Sequence, residues 1–415
     1  MRAELVGVGT EILLGQIANS NAQWMSERLA EIGVDVVHHQ AVGDNLDRIA
    51  DAFRVALSRA DVVIATGGLG PTQDDITREG IAAALGVRLV RHPEIEEFLR
   101  EKFRGFGRPM PEINLIQADV PEGARYILPV RGTAPGLICS SPGGPVLYAV
   151  PGVPAEMREM MEGTILPELR ERAGPATIVS MVLRCAGIPE SRVAELLADL
   201  FASSSNPTVA YLASAGEVKV RLTAKAATPE EASALIEPLA EHVRSRLGDH
   251  VFTSEDEELE HVVGRLLRER GMRVALAESL TGGGLAQRLT SAEGASDYFC
   301  GSAVVYTADA KRDLLGVRQE TIDGPGVVSE ECAREMAAGA RRVFGADVAV
   351  SLTGVAGPDP HDGKPPGDVW VALDAGDVQT ARHLRAPGDR AQVARWSQQA
   401  GLDILRRFLE GRLEG

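Results

Sequence analysis

Short apolar runs rich in valine alternate with helix-length amphipathic segments near the start of the chain, and this alternation restricts the fold more than any other feature of the sequence. The apolar runs cover residues 3–8, 34–38 and 62–65, and the segments between them cover residues 19–32 and 46–59. Parallel strands joined by helical crossovers have this pattern. We therefore predict a doubly wound α/β sheet in the first part of the chain.

The pattern changes twice along the 415 residues, a length that suggests two or three domains. From about residue 176 the sequence predicts a small α+β module with no recognisable chemical constellation. A third αβ series follows and ends in a helix from about residue 389, whose apolar side chains recur at three- and four-residue steps. The predicted domains span residues 1–172, 173–252 and 253–415.

The overall charge and the cysteines narrow the class of protein. The chain carries 59 acidic and 43 basic residues, a formal net charge of -16, which argues against direct binding of nucleic acid or of anionic membranes. Its four cysteines form no C-x-x-C pair, and no apolar run approaches the ~20 residues that a membrane span needs. We expect a cytoplasmic protein with reduced thiols and no membrane association.

A glycine-rich turn lies between a predicted strand and a predicted helix in the C-terminal series. Glycines such as Gly282 and Gly283 let backbone N–H groups approach an anionic ligand at a helix N-terminus, and Ser279 and Thr281 add hydroxyl groups. A purely structural turn explains the same letters, and both interpretations stay open from the residues alone.

Ser296 follows in a loop, Tyr306 closes the next predicted strand, and Lys311 lies one turn into the following predicted helix. A serine hydroxyl becomes a nucleophile when a partly desolvated lysine removes its proton, so this trio can carry acyl chemistry without histidine. The alternative is that Ser296 caps a helix, Tyr306 is a packed aromatic residue and Lys311 is a solvated charge.

Two further C-terminal features are candidates for holding a ligand. Thr353 and Gly354 follow an apolar strand, where open α/β sheets collect binding groups. Arg390 and Arg395 begin the last helix, where either guanidinium could pair with a phosphate, although both could equally be surface residues. The sequence does not decide between the two arginines.

The N-terminal sheet has its own glycine-rich strand ends. Thr10 and Glu11 follow the first strand, and Gly67, Gly68 and Gly70 follow a later one. Two such ends meeting at one edge of a parallel sheet form a phosphate or nucleotide site.

Three aspartates accompany these turns. Asp44, Asp74 and Asp75 would repel a bound phosphate unless a divalent cation lay between them, so we predict a metal-assisted reaction on a diphosphate, with the metal unidentified. The alternative is a pair of turns in which Asp75 caps a helix.

The C-terminal motifs resemble the CinA (competence/damage-inducible protein) family in four ordered segments, AESLTGGGLA, GASDYFCGSAVVYTADAK, SLTGVAGPDP and GDVW. The resemblance implies an amidase that converts nicotinamide mononucleotide to nicotinate mononucleotide and ammonia without a cofactor. On the matching positions it implies Ser296 as nucleophile, Lys311 as general base, and Tyr306 and Ser279 as supporting donors. Thr353 and the arginines would hold the nucleotide.

The N-terminal segments GTEILLGQIANSNAQ and TGGLGPTQDDITRE resemble the same family. They imply a three-layer molybdopterin-binding-like domain with divalent-metal-dependent ADP-ribose pyrophosphatase activity, in which Asp75 and Asp44, with Asp74 as a third, are the metal or catalytic residues. The family also implies a homodimer. The expected fold is thus α/β throughout: this domain, a small α+β connecting domain and a C-terminal αβ amidase domain.

Two rival functions stay open at this point. In the first, only the pyrophosphatase site is active. In the second, the chain is a non-enzymatic pterin or nucleotide carrier linked to competence or DNA damage, and it would bind its ligand tightly without turnover.

Overall fold

A computed structural model describes residues 1–140, 143–214 and 216–413. The chain divides into two compact units, one formed by Met1–Val179 with Ala224–Ala234 and the other by Ser180–Thr223 with Leu235–Gly415. The residues of the predicted connecting domain are therefore shared between the two units. Within the described residues, no helix is long and apolar enough to cross a membrane.

The first part of the chain builds a mixed sheet with the order β2-β1-β3-β8-β7-β6. Strands β2, β1, β3 and β8 are parallel, whereas β7 and β6 are added antiparallel at one edge. The elements are β1 (Arg2–Val8), α1 (Thr10–Leu13), α2 (Ser20–Glu31), β2 (Asp35–Val42), α3 (Leu46–Arg59), β3 (Val62–Thr66), α4 (Thr77–Leu85), β4 (Leu89–Arg91), α5 (Pro93–Gly105), β5 (Asp119–Pro121), β6 (Arg125–Ile127), β7 (Gly136–Ser140), β8 (Val146–Val150), α6 (Pro154–Met160) and α7 (Leu166–Ala173).

Alternating side chains of the central strands pack into two hydrophobic cores, one on each face of the sheet, and apolar residues therefore predominate along these strands. On one face, Val6 and Val63 pack with Phe53 of α3. On the other face, Leu5 and Ile64 pack with helices α2 and α6. Successive residues of a strand point to opposite faces, so a sheet covered by helices on both sides needs apolar residues at every position. The predicted three-layer α/β domain is confirmed.

The middle of the chain forms a smaller sheet with the order β10-β11-β9-β12. Thr208–Ser214 and Glu217–Ala226 form a hairpin, and Leu197 separates two short helices. The elements are β9 (Thr177–Ala186), α8 (Glu190–Leu196), α9 (Ala198–Ser203), β10 (Thr208–Ser214), β11 (Glu217–Ala226), α10 (Pro229–Leu247) and β12 (Val251–Thr253).

The last part of the chain forms a sheet with the order β14-β13-β15-β16-β17, in which β14, β13 and β15 are parallel. Leu276 and Val350 pack on the side of α11 and α16, and Ala275 and Ala349 pack on the side of α15. The elements are α11 (Leu259–Arg270), β13 (Val274–Glu278), α12 (Gly284–Ser291), β14 (Phe299–Val304), α13 (Ala308–Leu315), α14 (Gln319–Asp323), α15 (Glu330–Phe344), β15 (Val348–Gly354), β16 (Asp368–Asp374), β17 (Gln379–Arg385) and α16 (Arg390–Leu409).

Candidate active sites

A cavity of about 430 Å³ lies at the edge of the C-terminal sheet where β13 and β15 end. The two strands are parallel, and Glu278 at the end of β13 pairs with Leu352 near the end of β15. The turn after β13 and the loop after β15 therefore meet at this edge, as expected for open α/β sheets. The lining includes Ser279, Leu280, Tyr306, Lys311, Val327, Thr353, Gly354, Asp359, His361 and Arg390.

Lys311 and Ser279 form the chemical centre of this cavity. The Nζ of Lys311 donates to the Oγ of Ser279 over 3.0 Å and to the carbonyl oxygen of Val305 over 2.9 Å. Lys311 is only 2% exposed, because α13 places its side chain under the end of the sheet. The pair has the geometry of a serine nucleophile with a lysine base.

Burial tunes the two ionisable groups behind Ser279. Desolvation lowers the pKa of Lys311, because the charged ammonium is disfavoured away from water. Burial also raises the pKa of the neighbouring Cys332 thiol to about 11, so this thiol is neutral at pH 7. Lys311 therefore has no thiolate beside it to hold its proton, which favours its action as a base.

Glu278 is fully buried directly before Ser279, and the sequence analysis did not identify it. Its carboxylate accepts hydrogen bonds from the N–H groups of Gly283, Leu285 and Ala286 at 2.9–3.1 Å, and from the hydroxyl of Thr281 over 2.8 Å. A carboxylate at a helix N-terminus satisfies the first N–H groups of the helix and its dipole. Glu278 thereby fixes the turn that carries Ser279.

Glu278 of the protein itself accepts the hydrogen bonds of the Thr281 hydroxyl and the Gly283 N–H, two donors that were predicted to bind a substrate anion. The N–H of Gly282 donates to the carbonyl oxygen of Ser279 over 3.1 Å. Thr281, Gly282 and Gly283 are not among the residues that line the cavity, and their binding of a substrate stays a prediction.

The structure does not bring Ser296 and Lys311 together, so the predicted role of Ser296 has no support from the geometry. Ser296 lies exposed in a single turn before β14, at the end of the sheet where Val274 pairs with Phe299. Ser279 lies at the opposite end of the same parallel strands, beyond the Glu278–Val304 pair. The strand length separates the two serines, and only Ser279 reaches the lysine.

The other predicted C-terminal residues divide between the cavity wall and the outer surface. Thr353 and Gly354 line the cavity, and the Thr353 hydroxyl donates to the carbonyl oxygen of Val327 over 2.7 Å. Arg390 also lines it, with one guanidinium nitrogen on the carbonyl oxygen of Gly357 over 2.9 Å and another on the Tyr306 hydroxyl. Arg395 is exposed and lies outside the lining, so Arg390 is the better placed of the two arginines.

Asp359 and His361 complete the wall, and the sequence analysis named neither as a site residue. They belong to the loop after β15, where His361 and Lys364 exchange backbone hydrogen bonds of 3.0 and 2.9 Å. Their position shortly after a predicted ligand loop was the only available signal. They bring an acid and an imidazole to the mouth of the cavity.

A second cavity, of about 530 Å³, lies at the edge of the N-terminal sheet where β1, β3 and β8 end. Glu11, Gly67, Gly68 and Gly70 line it as predicted. Gly67 has φ of +102°, and a Cβ there would lie 2.2 Å from the carbonyl oxygen of Val8, so no other residue fits at this strand crossing.

The aspartates of this cavity are held by threonines. The N–H and hydroxyl of Thr10 donate to Oδ2 of Asp44 over 3.0 and 2.7 Å, and the N–H of Thr72 donates to Oδ2 of Asp75 over 2.9 Å. Asp44, Asp74 and Asp75 all line the cavity, but no three acidic, histidine or cysteine side chains within the described ranges are grouped to hold a metal. A divalent cation would fit Asp44 and Asp75 only with phosphate oxygens or water as further ligands, which is common for Mg²⁺.

Arg78 holds the glycine-rich turn of this site by hydrogen bonds to its carbonyl oxygens. The sequence analysis did not identify this residue. It is fully buried and donates to the carbonyl oxygens of Leu69 over 2.6 Å and of Gly70 over 2.8 Å. Asn21 acts similarly on the neighbouring loop, where its amide donates to Gly152 O over 2.8 Å. Both side chains fix loop carbonyl oxygens at the cavity, and Asn21 is itself part of the cavity lining.

Three family models match successive parts of the chain. Residues 4–171 match a probable molybdopterin binding domain, residues 180–253 match the KH domain of the damage-inducible protein CinA, and residues 256–409 match the CinA C-terminal domain.

Relatives of known sequence match along the whole length. The chain is 48% identical to a CinA-like protein of Frankia casuarinae over 420 residues, covering 99% of this chain and 97% of the relative. It is 43% identical to a CinA-like protein of Dictyoglomus turgidum, covering 99% of each. The crystal structure of the protein CinA from Thermoplasma acidophilum is 38% identical and covers 40% of this chain and 95% of that one, with a TM-score of 0.38.

Proposed function

Because this chain belongs to the CinA family, with a molybdopterin-binding-like domain followed by a CinA C-terminal domain, we propose that its C-terminal site hydrolyses the carboxamide of nicotinamide mononucleotide. The observation that carries the proposal is the buried contact of 3.0 Å between Lys311 Nζ and Ser279 Oγ in the wall of a cavity. Nucleophilic serine next to a desolvated lysine is an arrangement suited to acyl transfer.

The reaction begins with neutral Lys311 accepting the proton of Ser279 as its Oγ attacks the carboxamide carbon. The developing oxyanion lies next to the N–H of Leu280, which follows Ser279 in the cavity wall and has no acceptor in the part of the chain that the structure describes. Lys311 then returns the proton to the departing nitrogen, and ammonia leaves. Water, deprotonated by the same amine, hydrolyses the ester and regenerates Ser279.

Arg390 supplies the remaining recognition. A nucleotide phosphate carries negative charge, and the guanidinium of Arg390 is already fixed at the cavity by Gly357 and Tyr306. A preorganised guanidinium binds phosphate with charge-assisted hydrogen bonds. It would hold the ribose phosphate while the nicotinamide ring reaches inward to Ser279.

The deciding experiment compares ammonia release from nicotinamide mononucleotide by wild type, Ser279→Ala and Ser296→Ala. We expect Ser279→Ala to lower kcat by about 10³-fold or more, as removal of a nucleophile does in other hydrolases. Ser296→Ala makes the same chemical change at an exposed position and should leave kcat within about twofold. A wild type that releases no ammonia, or an active Ser279→Ala, would overturn the proposal.

A second activity, hydrolysis of the diphosphate of ADP-ribose in the N-terminal cavity, is favoured by a separate observation. Glycine-rich strand ends and the carboxylates of Asp44 and Asp75 share one cavity, which suits a diphosphate bound with a divalent cation. AMP release should stop with a chelator and in Asp75→Asn, and should persist in Ser279→Ala. Tight ADP-ribose binding without AMP release would instead favour a nucleotide carrier.

A further inference from the structure

Gln117 lies in the wall of the N-terminal cavity with its polar side chain buried. It lies in the seven-residue 3-10 helix Glu112–Ala118 and is 1% exposed. Neither its Nε2 nor its Oε1 has a hydrogen-bond partner among the residues that the structure describes. Buried amides without partners are rare in folded proteins because desolvation is not compensated. Burial of this side chain therefore has a desolvation free energy that no hydrogen bond within the described ranges offsets.

The chemistry of the carboxamide restricts what could satisfy it. Its Nε2 needs an acceptor and its Oε1 needs a donor. A phosphate offers acceptors alone and a metal ion binds only the oxygen, so each would leave half of the amide unsatisfied. The carboxylates of Asp44, Asp75 and Glu156 in the same cavity wall are likewise acceptors. A single chemical group that satisfies both amide atoms must present a donor beside an acceptor.

We propose that Gln117 is the specificity-determining residue of the N-terminal cavity, turning into it to pair with the edge of a fused-ring heterocycle. Adenine has this edge, since its N6 amino group donates and its N7 accepts, and glutamine binds it with two hydrogen bonds. A change of side-chain rotamer brings the shielded amide from the wall to the ring. This inference rests on the second proposed function only in taking a nucleotide as the ligand.

The first test measures binding by calorimetry to the full-length protein, with ADP-ribose and inosine diphosphate ribose, each with and without Mg²⁺. Inosine replaces the N6 donor by an oxygen, and a bidentate contact to a base is worth about 5- to 150-fold in discrimination. Wild type should prefer ADP-ribose by a factor in that range, and Gln117→Leu should bind both with equal affinity. Equal preference in wild type and variant would overturn the inference.

The second test uses the stability of the ligand-free protein. Gln117→Leu removes two buried unsatisfied groups, so its melting temperature should rise above that of wild type. The same change at exposed Gln23, whose amide binds Glu27, serves as the matched control and should not raise it. A melting temperature of Gln117→Leu below wild type would show a structural role for the amide and overturn the inference.

A third test identifies which heterocycle Gln117 binds, because a pterin ring, like adenine, places a hydrogen-bond donor beside an acceptor. Competition between ADP-ribose and 6-hydroxymethylpterin in wild type and Gln117→Leu shows which ring the glutamine selects, and a preference for neither ring in wild type contradicts the inference. AMP release is followed separately. If ADP-ribose binds selectively but is not cleaved, the hydrolytic function fails while the role of Gln117 stands.

Discussion

The ammonium nitrogen of Lys311 lies 3.0 Å from the hydroxyl oxygen of Ser279, although the two residues are 32 positions apart. Helix α12 and strand β14 lie between them in the sequence, and the second contact of Lys311, to the carbonyl oxygen of Val305, fixes the amine under the sheet edge. One nitrogen thus contacts both the backbone of the site and the hydroxyl of Ser279, which places the amine within reach of the Ser279 proton.

The activity of this pair should depend on pH through Lys311. Burial lowers the pKa of the amine, and only the neutral amine accepts the proton of Ser279. The value of kcat/KM for nicotinamide mononucleotide should therefore rise with pH and level off above the lowered pKa. The pH profile of ammonia release measures this rise.

The control for that profile is Lys311→Arg, in which the guanidinium stays charged over the whole range. We expect a loss of about 10²- to 10⁴-fold, the usual contribution of a general base, and no acid limb near neutral pH. An unchanged profile in Lys311→Arg would mean that another group removes the proton.

Glu278 should contribute both to the free energy of unfolding and to kcat. Glu278→Gln replaces one oxygen by an NH₂ group facing the N–H donors of Gly283, Leu285 or Ala286, and it weakens the remaining hydrogen bonds. The free energy of unfolding should fall by about 2–4 kcal/mol, and kcat should fall because Ser279 follows directly. Urea denaturation of this variant and of Glu195→Gln checks the value, since Glu195 has only an exposed pair with Arg192. Equal stability of the two variants would contradict the prediction.

The sequence predicts the strand edges of both sites but not their contacts. Periodicity and valine-rich runs identify parallel strands, and the rule that ligands bind beyond their carboxyl ends places both cavities. The sequence analysis chose Ser296 as the partner of Lys311, whereas the structure places Ser279 against that lysine. Both serines lie in motifs that resemble the same family, and the distance of either from Lys311 depends on strand direction. Ser296 precedes β14 and Ser279 follows β13, so the parallel pairing separates them.

The roles of buried polar side chains were also not predicted from the sequence. Glu278 has a recognisable signal, an acidic residue ending an apolar strand just before a helix N-terminus, where the helix dipole stabilises it. Gln117 has no such signal, because the lack of a hydrogen-bond partner depends on the packing of residues distant in sequence. Packing of this kind is set by the tertiary structure and cannot be read from local patterns.

The two arginines that begin α16 should differ in their effect on substrate binding. Arg390 lines the cavity, whereas Arg395 is exposed outside it. Arg390→Ala should raise KM for nicotinamide mononucleotide by about 10- to 100-fold, the value of a charge-assisted hydrogen bond, with a smaller change in kcat. Steady-state kinetics of Arg395→Ala provide the control, and an equal rise in KM there would remove the assignment of the phosphate to Arg390.

Replacing Arg78 should lower the activity of the N-terminal site and leave the activity of the C-terminal site unchanged. Its guanidinium holds two carbonyl oxygens of the turn that carries Gly70, and burial lowers its pKa while nearby carboxylates oppose that shift. Lysine keeps the charge but lacks the planar fork, so Arg78→Lys leaves a buried carbonyl unsatisfied at about 1–3 kcal/mol. AMP release from ADP-ribose should fall by about tenfold or more in this variant, while ammonia release from nicotinamide mononucleotide stays at the wild-type rate.

Arg88→Lys makes the same exchange at an exposed pair with Glu122 and should change neither rate. If Arg78→Lys lowered both rates equally, the loss would reflect a global change in the protein, and the turn held by Arg78 would have no specific part in the N-terminal reaction.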